Sequence, residues 1–190
     1  SADAGHLVGG DLLALPAPGL PLSDKQEVNR ALLKSGANIV EMNTVRKHLS
    51  AIHGGRLAAA CRATVLALIV SDVTGDDPTH IASGPCAPDP TTYRDALEIL
   101  DRYGINSPAS VKEHLELGAS SKILETPKPG DRIFARVENR VIATARQSLH
   151  AALDFFRLHG IPAAIIDESV TGEAREVGKV QGALARRISR

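Results

Sequence analysis

The sequence predicts an α/β protein whose sheet is mainly parallel and lies under helices. Three observations predict it. Val65 to Val70 (VLALIV) is a continuous apolar run that stops abruptly at Ser71-Asp72. That length and uniformity suit a strand buried on both faces of a parallel sheet. Residues 137–190 alternate strand, helix, strand and helix, which signals a parallel βαβ unit with a right-handed crossover. The loop after the apolar run is rich in Asp, Gly, Pro and Ser and carries Asp72, Asp76 and Asp77. It stands where open α/β sheets bind ligands, beyond the carboxyl ends of the strands.

The elements follow in order. Leu12 to Leu15 reads as a strand end or a short helix, closed by Pro16-Ala-Pro18-Gly19. Ser23-Asp-Lys-Gln26 reads as a capping box for a helix to about Gly36, with Val28, Ala31 and Leu32 on its buried side. Asn38 caps a second helix to about Ser50. Ile39, Met42, Val45 and Leu49 share one side of it, and Asn43, Arg46, Lys47 and Ser50 form a stripe along the rim. Gly54-Gly55-Arg56 leads through an Ala-rich turn into the apolar strand. Thr91-Thr92 opens a helix to about Tyr103 with Ala96, Leu97, Ile99 and Leu100 inside, and Ser107-Pro108 starts another to about Leu117. Gly118 to Gly130 reads as loop. Val137 to Ala143 is the second strand, Thr144-Ala-Arg-Gln147 caps a helix to about His159, and Ala163 to Asp167 is the third strand. A last helix runs from about Thr171 to a basic end (Arg186, Arg187, Arg190) that suits its dipole.

Composition narrows the function classes. Lys+Arg and Asp+Glu balance at 22 each, so no global field argues for nucleic acid or membrane. Aromatics are 3% with no Trp, which removes the stacking platforms of single-strand binders. No apolar run approaches the ~20 residues of a membrane span, and no charged n-region precedes an apolar stretch, so the expected compartment is the cytoplasm. Cys61 and Cys86 have no metal-like spacing and read as free thiols.

Three features carry chemistry. The acidic strand end, Asp72 with Asp76 and Asp77, can act as a base or hold Mg²⁺ through one or two carboxylates. The rim of Asn43, Arg46 and Lys47 offers fixed positive charge to a phosphate or carboxylate. The turns Gly54-Gly55-Arg56 and Ala82-Ser83-Gly84-Pro85 can bring backbone N–H groups close to an anion. An isolated basic helix face is usually only solvated, but the three together describe phosphoryl transfer. Gly172 to Lys179 is not a phosphate loop: it has one residue too many between its glycines and no Ser/Thr after the lysine. There is no dinucleotide fingerprint, no paired-histidine metal motif and no nucleophile elbow.

A set of motifs in fixed order then carries a family resemblance: Leu15-Pro-Ala-Pro-Gly19, Glu41-Met-Asn43-Thr-Val-Arg46-Lys47-His-Leu-Ser50, Gly54-Gly55-Arg56, Ser71-Asp72-Val-Thr-Gly75-Asp76, Ile81-Ala-Ser-Gly-Pro85, Pro88-Asp-Pro90-Thr, Glu125-Thr-Pro127-Lys and Gly172-Glu173-Ala-Arg-Glu176. The chain from about Leu12 on resembles the type-2 glycerate kinases, the family with a C-terminal MOFRL domain whose members often carry the label hydroxypyruvate reductase. The resemblance implies a Rossmann-like α/β/α sandwich and an ATP- and Mg²⁺-dependent phosphorylation of D-glycerate to 2-phosphoglycerate. It implies Asp72 as the catalytic carboxylate and Asn43, Arg46, Lys47, Ser83 and Gly84 as substrate- or phosphate-binding residues; from the acidic loop and the Gly-Gly-Arg turn, Asp76 is expected to hold Mg²⁺ and Arg56 to join the binding residues. Two departures stand out. Where relatives carry a Ser-Gly-Gly-Gly-Ser-Ala-Leu-Leu segment, this chain reads His6-Leu-Val-Gly9-Gly10-Asp11-Leu-Leu13, and the usual lysine before Gly54-Gly55 is His53.

Family members are about twice as long, so residues 1–190 are expected to form one domain, the central part of the larger kinase domain. The MOFRL domain is expected to be absent from them, the piece alone is expected to be inactive, and its open edge is expected to invite a homodimer. The other readings are an NAD(P)H-dependent hydroxypyruvate reductase, disfavoured by the missing G-x-G-x-x-G, and a non-catalytic domain that binds a small anion or associates.

Overall fold

The computed structural model describes residues 15–170 and 172–188. They fall into two compact units divided between Ile142 and Ala143. The first holds helices α1 (Leu22–Ser35), α2 (Ile39–His48), α3 (Arg56–Ala60), α4 (Tyr93–Arg102) and α5 (Ala109–Ala119), with strands β1 (Val65–Val70) and β2 (Val137–Ala143). The second holds α6 (Ala145–Leu158) and α7 (Ala174–Ile188). Strands β1 and β2 pair in a two-stranded parallel sheet, so the α/β class is as expected.

Local chemistry sets most boundaries. Asn38, Thr92 and Thr144 each form the full reciprocal capping box, with Glu41, Asp95 and Gln147 respectively. The box expected at Ser23 is not formed. Helix α1 begins at Leu22 with Pro21 in the cap position, which puts Ser23 inside the first turn, where its hydroxyl bonds Asp24 at 2.9 Å. Ser107 is likewise not a cap, since Pro108 takes that position and α5 runs on to Ala119. Residues Arg132–Arg136, between the expected loop and the second strand, form a short 3-10 turn that delivers the chain to β2.

The core is helical. Val28, Leu32, Val45, Leu49, Tyr93, Ala96, Ile99, Leu100, Val111 and Leu115 are buried together among α1, α2, α4 and α5. Each of the larger aliphatic side chains contributes about 1.5–3 kcal/mol by leaving water. Tyr93 lies flat on α5 because residue 118 is glycine: a Cβ there would stand 2.2 Å from the Tyr93 ring. Helix α2 packs on α4, and α4 on α5, so α4 is the central helix of the first unit and carries α2 on one side.

Two expectations about the sheet fail. Strand β1 is not buried on both faces: Leu66, Leu68 and Val70 are 52%, 58% and 66% exposed, and only the alternate residues are partly covered. Ala163 to Asp167 is not a strand. Its apolar pattern is present, but no backbone hydrogen bond joins it to another segment among the described residues, and an extended run without a ladder partner is not a strand. The βαβ unit expected over 137–190 is therefore not closed. Within the second unit, Glu168 ties the segment after 163–167 to α6, accepting from Arg146 at 2.7 Å and lying 2.9 Å from His150. A pocket of about 240 Å³ lies there, lined by Leu149, Leu153, Phe156, Ile165 and Gln181. The Leu12–Leu13 and Gly9–Gly10 readings lie outside the described residues. No helix among the described residues is long and apolar enough to cross a membrane, and both cysteines are free thiols.

Candidate active site on helix α2

Helix α2 is fixed at its start by the Asn38 box and on its inner side by Val45 and Leu49, which aims Asn43, Arg46 and Lys47 at the loops on its far side. Asn43 is 3% exposed and acts as a hub. Its Nδ2 donates to the His80 carbonyl at 3.3 Å, and its Oδ1 accepts from Ser83 Oγ at 3.1 Å and from Arg46 Nη1 at 3.3 Å. Arg46 Nε in turn donates to Asn29 Oδ1 on α1 at 2.7 Å.

The two turns singled out in the sequence are laced together. Gly54 N–H donates to the Ser83 carbonyl at 3.0 Å and Gly55 N–H to the Gly84 carbonyl at 2.8 Å. Gly55 needs to be glycine, because its φ is +80° and a Cβ would stand 2.9 Å from the Ala87 carbonyl. Across from it, Ala82 and Ser83 also take left-handed conformations, with φ of 49° and 59°. Non-glycine residues held there cost about 1–3 kcal/mol each, and such outliers concentrate at ligand-handling sites. Asn43 is what holds Ser83 in place.

Behind this surface lies a buried charge network. Lys47 and Asp89 are 2% and 0% exposed and meet at 3.2 Å. Asp89 Oδ1 also accepts from the Thr91 N–H at 3.1 Å and the Thr91 hydroxyl at 2.7 Å. Burial alone would raise the Asp89 carboxyl, but the Lys47 ammonium and the Thr91 bonds outweigh it and hold it below the usual value. Glu125 accepts from the Tyr93 N–H at 2.9 Å and faces His48 Nε2 at 3.3 Å and Lys128 Nζ at 3.2 Å. Burial opposes its charge, yet His48, the Tyr93 N–H and Lys128 prevail and bring the carboxyl down to about 2.

The residues picked from the sequence thus divide. Asn43, Arg46, Lys47, Ser83 and Gly84 come together with Gly54 and Gly55. Lys47 is not at a rim, since Asp89 covers it. Arg56 is drawn away, its Nη2 donating to the Tyr93 hydroxyl at 2.8 Å. Asp72, at the end of β1, is exposed, and Asp76 occupies the loop with φ of 53°; neither carboxylate has a hydrogen bond or ion pair among the described residues. Asp77 is occupied, accepting the Thr79 N–H at 2.8 Å. Among the described residues no three of His, Cys, Asp and Glu converge as a metal cage.

The sequence reading missed His48, His53, Asp89 and Glu125. Asp89 had a local signal, because Asp-Pro-Thr favours the turn in which Asp accepts from the residue two on. His53 is 8% exposed and neither ring nitrogen has a hydrogen-bond partner among the described residues. Burial first, and then the positive charges of Lys25, Arg46 and Lys47, push it down to about 4.

A family model described as a domain of unknown function, DUF4147, matches residues 8–116. The chain belongs to this family. The DUF4147 match spans α1 to α4 and most of α5, so it includes every α2 residue, both laced turns and the acidic loop. The chain is similar to the glycerate 2-kinase of Pyrococcus horikoshii, 40% identical over 183 residues that make up 95% of this chain and 41% of that protein. It is 48% identical over 178 residues to an Agrobacterium vitis protein provisionally named a hydroxypyruvate reductase, covering 93% of this chain and 39% of that one. The crystal structure of a glycerate kinase from Thermotoga maritima matches with a TM-score of 0.69 at 40% identity, covering 92% of this chain and 40% of that chain. The chain therefore spans about two fifths of the length of the relatives it matches.

Proposed function

We propose that the whole protein is a glycerate 2-kinase, transferring the γ-phosphoryl group of ATP to D-glycerate to give 2-phosphoglycerate. The observation that carries this reading is the convergence of Asn43, Arg46, Ser83, Gly54 and Gly55 on one face of α2, in a chain 40% identical to a protein named glycerate 2-kinase. Phosphoryl transfer asks a protein chiefly for positioning and for charge around a spreading anion. Arg46 supplies fixed charge, already oriented by Asn29 and Asn43, and the strained Ala82–Gly84 turn supplies a rigid edge. Lys47, neutralised by Asp89, serves by holding the loop that ends at α4.

In the reaction the glycerate 2-hydroxyl oxygen bonds to the γ-phosphorus, the bond to the ADP oxygen breaks, and the hydroxyl proton passes to a base. Asp72 is that base. Its exposed carboxylate has no hydrogen bond or ion pair among the described residues and sits in a polar strand-end loop. Mg²⁺, which would neutralise the phosphates, fits this loop by donor chemistry: Asp76 would hold it as a hard oxygen donor that no side chain among the described residues occupies, whereas Asp77 is engaged by Thr79. Residues 1–190 alone are proposed to lack the activity. A reductase reading has in its favour the provisional name of the Agrobacterium vitis relative, and against it the missing dinucleotide fingerprint.

The test is ATP-dependent glycerate phosphorylation by the whole protein, beside a nicotinamide-oxidation assay with hydroxypyruvate. Asp72→Asn is expected to lower kcat by about 10²–10⁴-fold. Near-normal turnover by that variant, or nicotinamide oxidation without phosphorylation, would refute the proposal.

A further inference from the structure

His48 closes helix α2 and touches three other segments, yet it takes no part in the proposed reaction. Its carbonyl accepts from His114 Nε2 on α5 at 3.0 Å. Its ring meets Tyr93 on α4 edge-on, with centroids 4.7 Å apart. The ring is 0% exposed, so the groups around its two nitrogens decide its protonation. Nδ1 stands 2.8 Å from the Thr44 carbonyl one turn back. A carbonyl oxygen only accepts, so Nδ1 carries a proton. Nε2 stands 3.3 Å from Glu125 Oε2 and 3.9 Å from Asp89 Oδ2. Burial opposes charge on both carboxyls, yet Glu125 lies at about 2 and Asp89 below the usual value, so neither has a proton to give. A bare Nε2 would aim its lone pair at two anions, and it too needs a proton. Turning the ring over would put carbons at both contacts.

The surroundings suit a cation. Glu125 enters from the loop after α5, and Asp89 from the loop before α4. Lys47 binds Asp89 at its other oxygen, 3.2 Å from Oδ1, and Lys128 shares Glu125 Oε2 at 3.2 Å. His48 is also the last residue of α2, where the helix dipole favours positive charge. His114 is lowered by burial first; its bond to the His48 carbonyl opposes this, and the charges of Arg56 and His48 lower it further.

We propose that His48 keeps both ring protons at neutral pH and acts as a latch, one buried imidazolium joining the end of α2 to the Asp89 and Glu125 loops. The proton is then a part of the fold. With it, the loops before α4 and after α5 share a cation; without it, their carboxylates face a lone pair. Losing that proton turns attraction into repulsion, so the latch opens on the alkaline side. This device is independent of the kinase reading, because it needs neither ATP nor glycerate.

Nitrogen NMR of the 190-residue chain reads the ring directly. Both His48 nitrogens are expected to carry protons at neutral pH, without the wide separation in shift that a neutral ring shows. His48→Gln keeps an amide donor but removes the cation. In that variant His114 is expected to titrate at higher pH, and Glu125 to titrate above about 2. The Tyr93 amide donates to Glu125 Oε1 at 2.9 Å. Its hydrogen exchange is expected to quicken about 10–100-fold, the size of one hydrogen bond to a charged group. One unprotonated His48 nitrogen in the wild type at neutral pH would overturn the proposal, and that measurement needs no variant. Unmoved His114 and Glu125 titrations in His48→Gln, or a Tyr93 amide that exchanges no faster, would overturn it as well.

Discussion

Lys47→Met isolates the buried charge network that holds the site together. The substitution keeps the stem and removes the ammonium. Asp89 then remains 0% exposed with only the two Thr91 bonds on Oδ1 and, among the described residues, no hydrogen bond on Oδ2, from which His48 Nε2 stands 3.9 Å. Stranding one member of a buried pair costs about 3–5 kcal/mol. The assay can be confined to the first unit: Tyr93 and Tyr103 are the two tyrosines and there is no Trp, so tyrosine fluorescence in urea follows that unit alone. With a slope of about 2 kcal/mol per molar urea, the midpoint falls by about 2 M. The pH dependence has a definite sign. In the wild type the Asp89 value is lowered, so its contribution is full above the ordinary carboxylate value and is lost as pH falls through the lowered one. Without Lys47, burial dominates and the value rises, so protonation relieves the folded state as pH falls. The gap between the two proteins should therefore narrow on acidification. Asp89→Leu added to Lys47→Met should recover part of the loss, because the stranded charge is what costs. A loss below about 1 kcal/mol, or a gap that widens in acid, would refute the reasoning.

Gly118→Ala should lower stability by about 1–3 kcal/mol in the same assay although alanine is the better helix former, since its Cβ would meet a Tyr93 ring pinned by Arg56 and edge-on to His48; an unchanged or raised midpoint would show that the ring yields. Glu125→Gln should flatten the acid limb. The carboxyl lies near 2 in the folded chain against 4.5 unperturbed, so its contribution is full above 4.5 and disappears as pH falls to about 2. An identical stability–pH slope in the variant would remove Glu125 from the network.

What the sequence made legible was local. The boundaries of β1 and β2 follow from apolar patterning, and the Asn38, Thr92 and Thr144 caps from side chains three residues from their partners. The meeting of Asn43 with Ser83 was anticipated only as two separate anion-friendly features. Lys47 looked like a rim residue because helical periodicity knows nothing of Asp89, 42 residues away, and His48 gave no sign of Glu125, 77 residues away. The apolar run of β1 suggested two covered faces because composition reports hydrophobicity, not whether a neighbour is there to cover it. Ala163 to Asp167 failed as a strand for the same reason: periodicity can nominate an extended segment but cannot supply the hydrogen-bonding edge.

The depth of Lys47 has a consequence for chemical labelling. Acylating reagents modify a lysine at a rate set by how often its amine meets solvent as a free base. With 2% of its side chain exposed and Nζ held by Asp89, Lys47 can meet such a reagent only when α2 parts from the loop that precedes α4. Its acylation therefore counts openings of the first unit, while Lys34, exposed on α1, counts only reagent dose. The ratio of the two turns an ordinary amine footprint into a clock for how often the site comes apart.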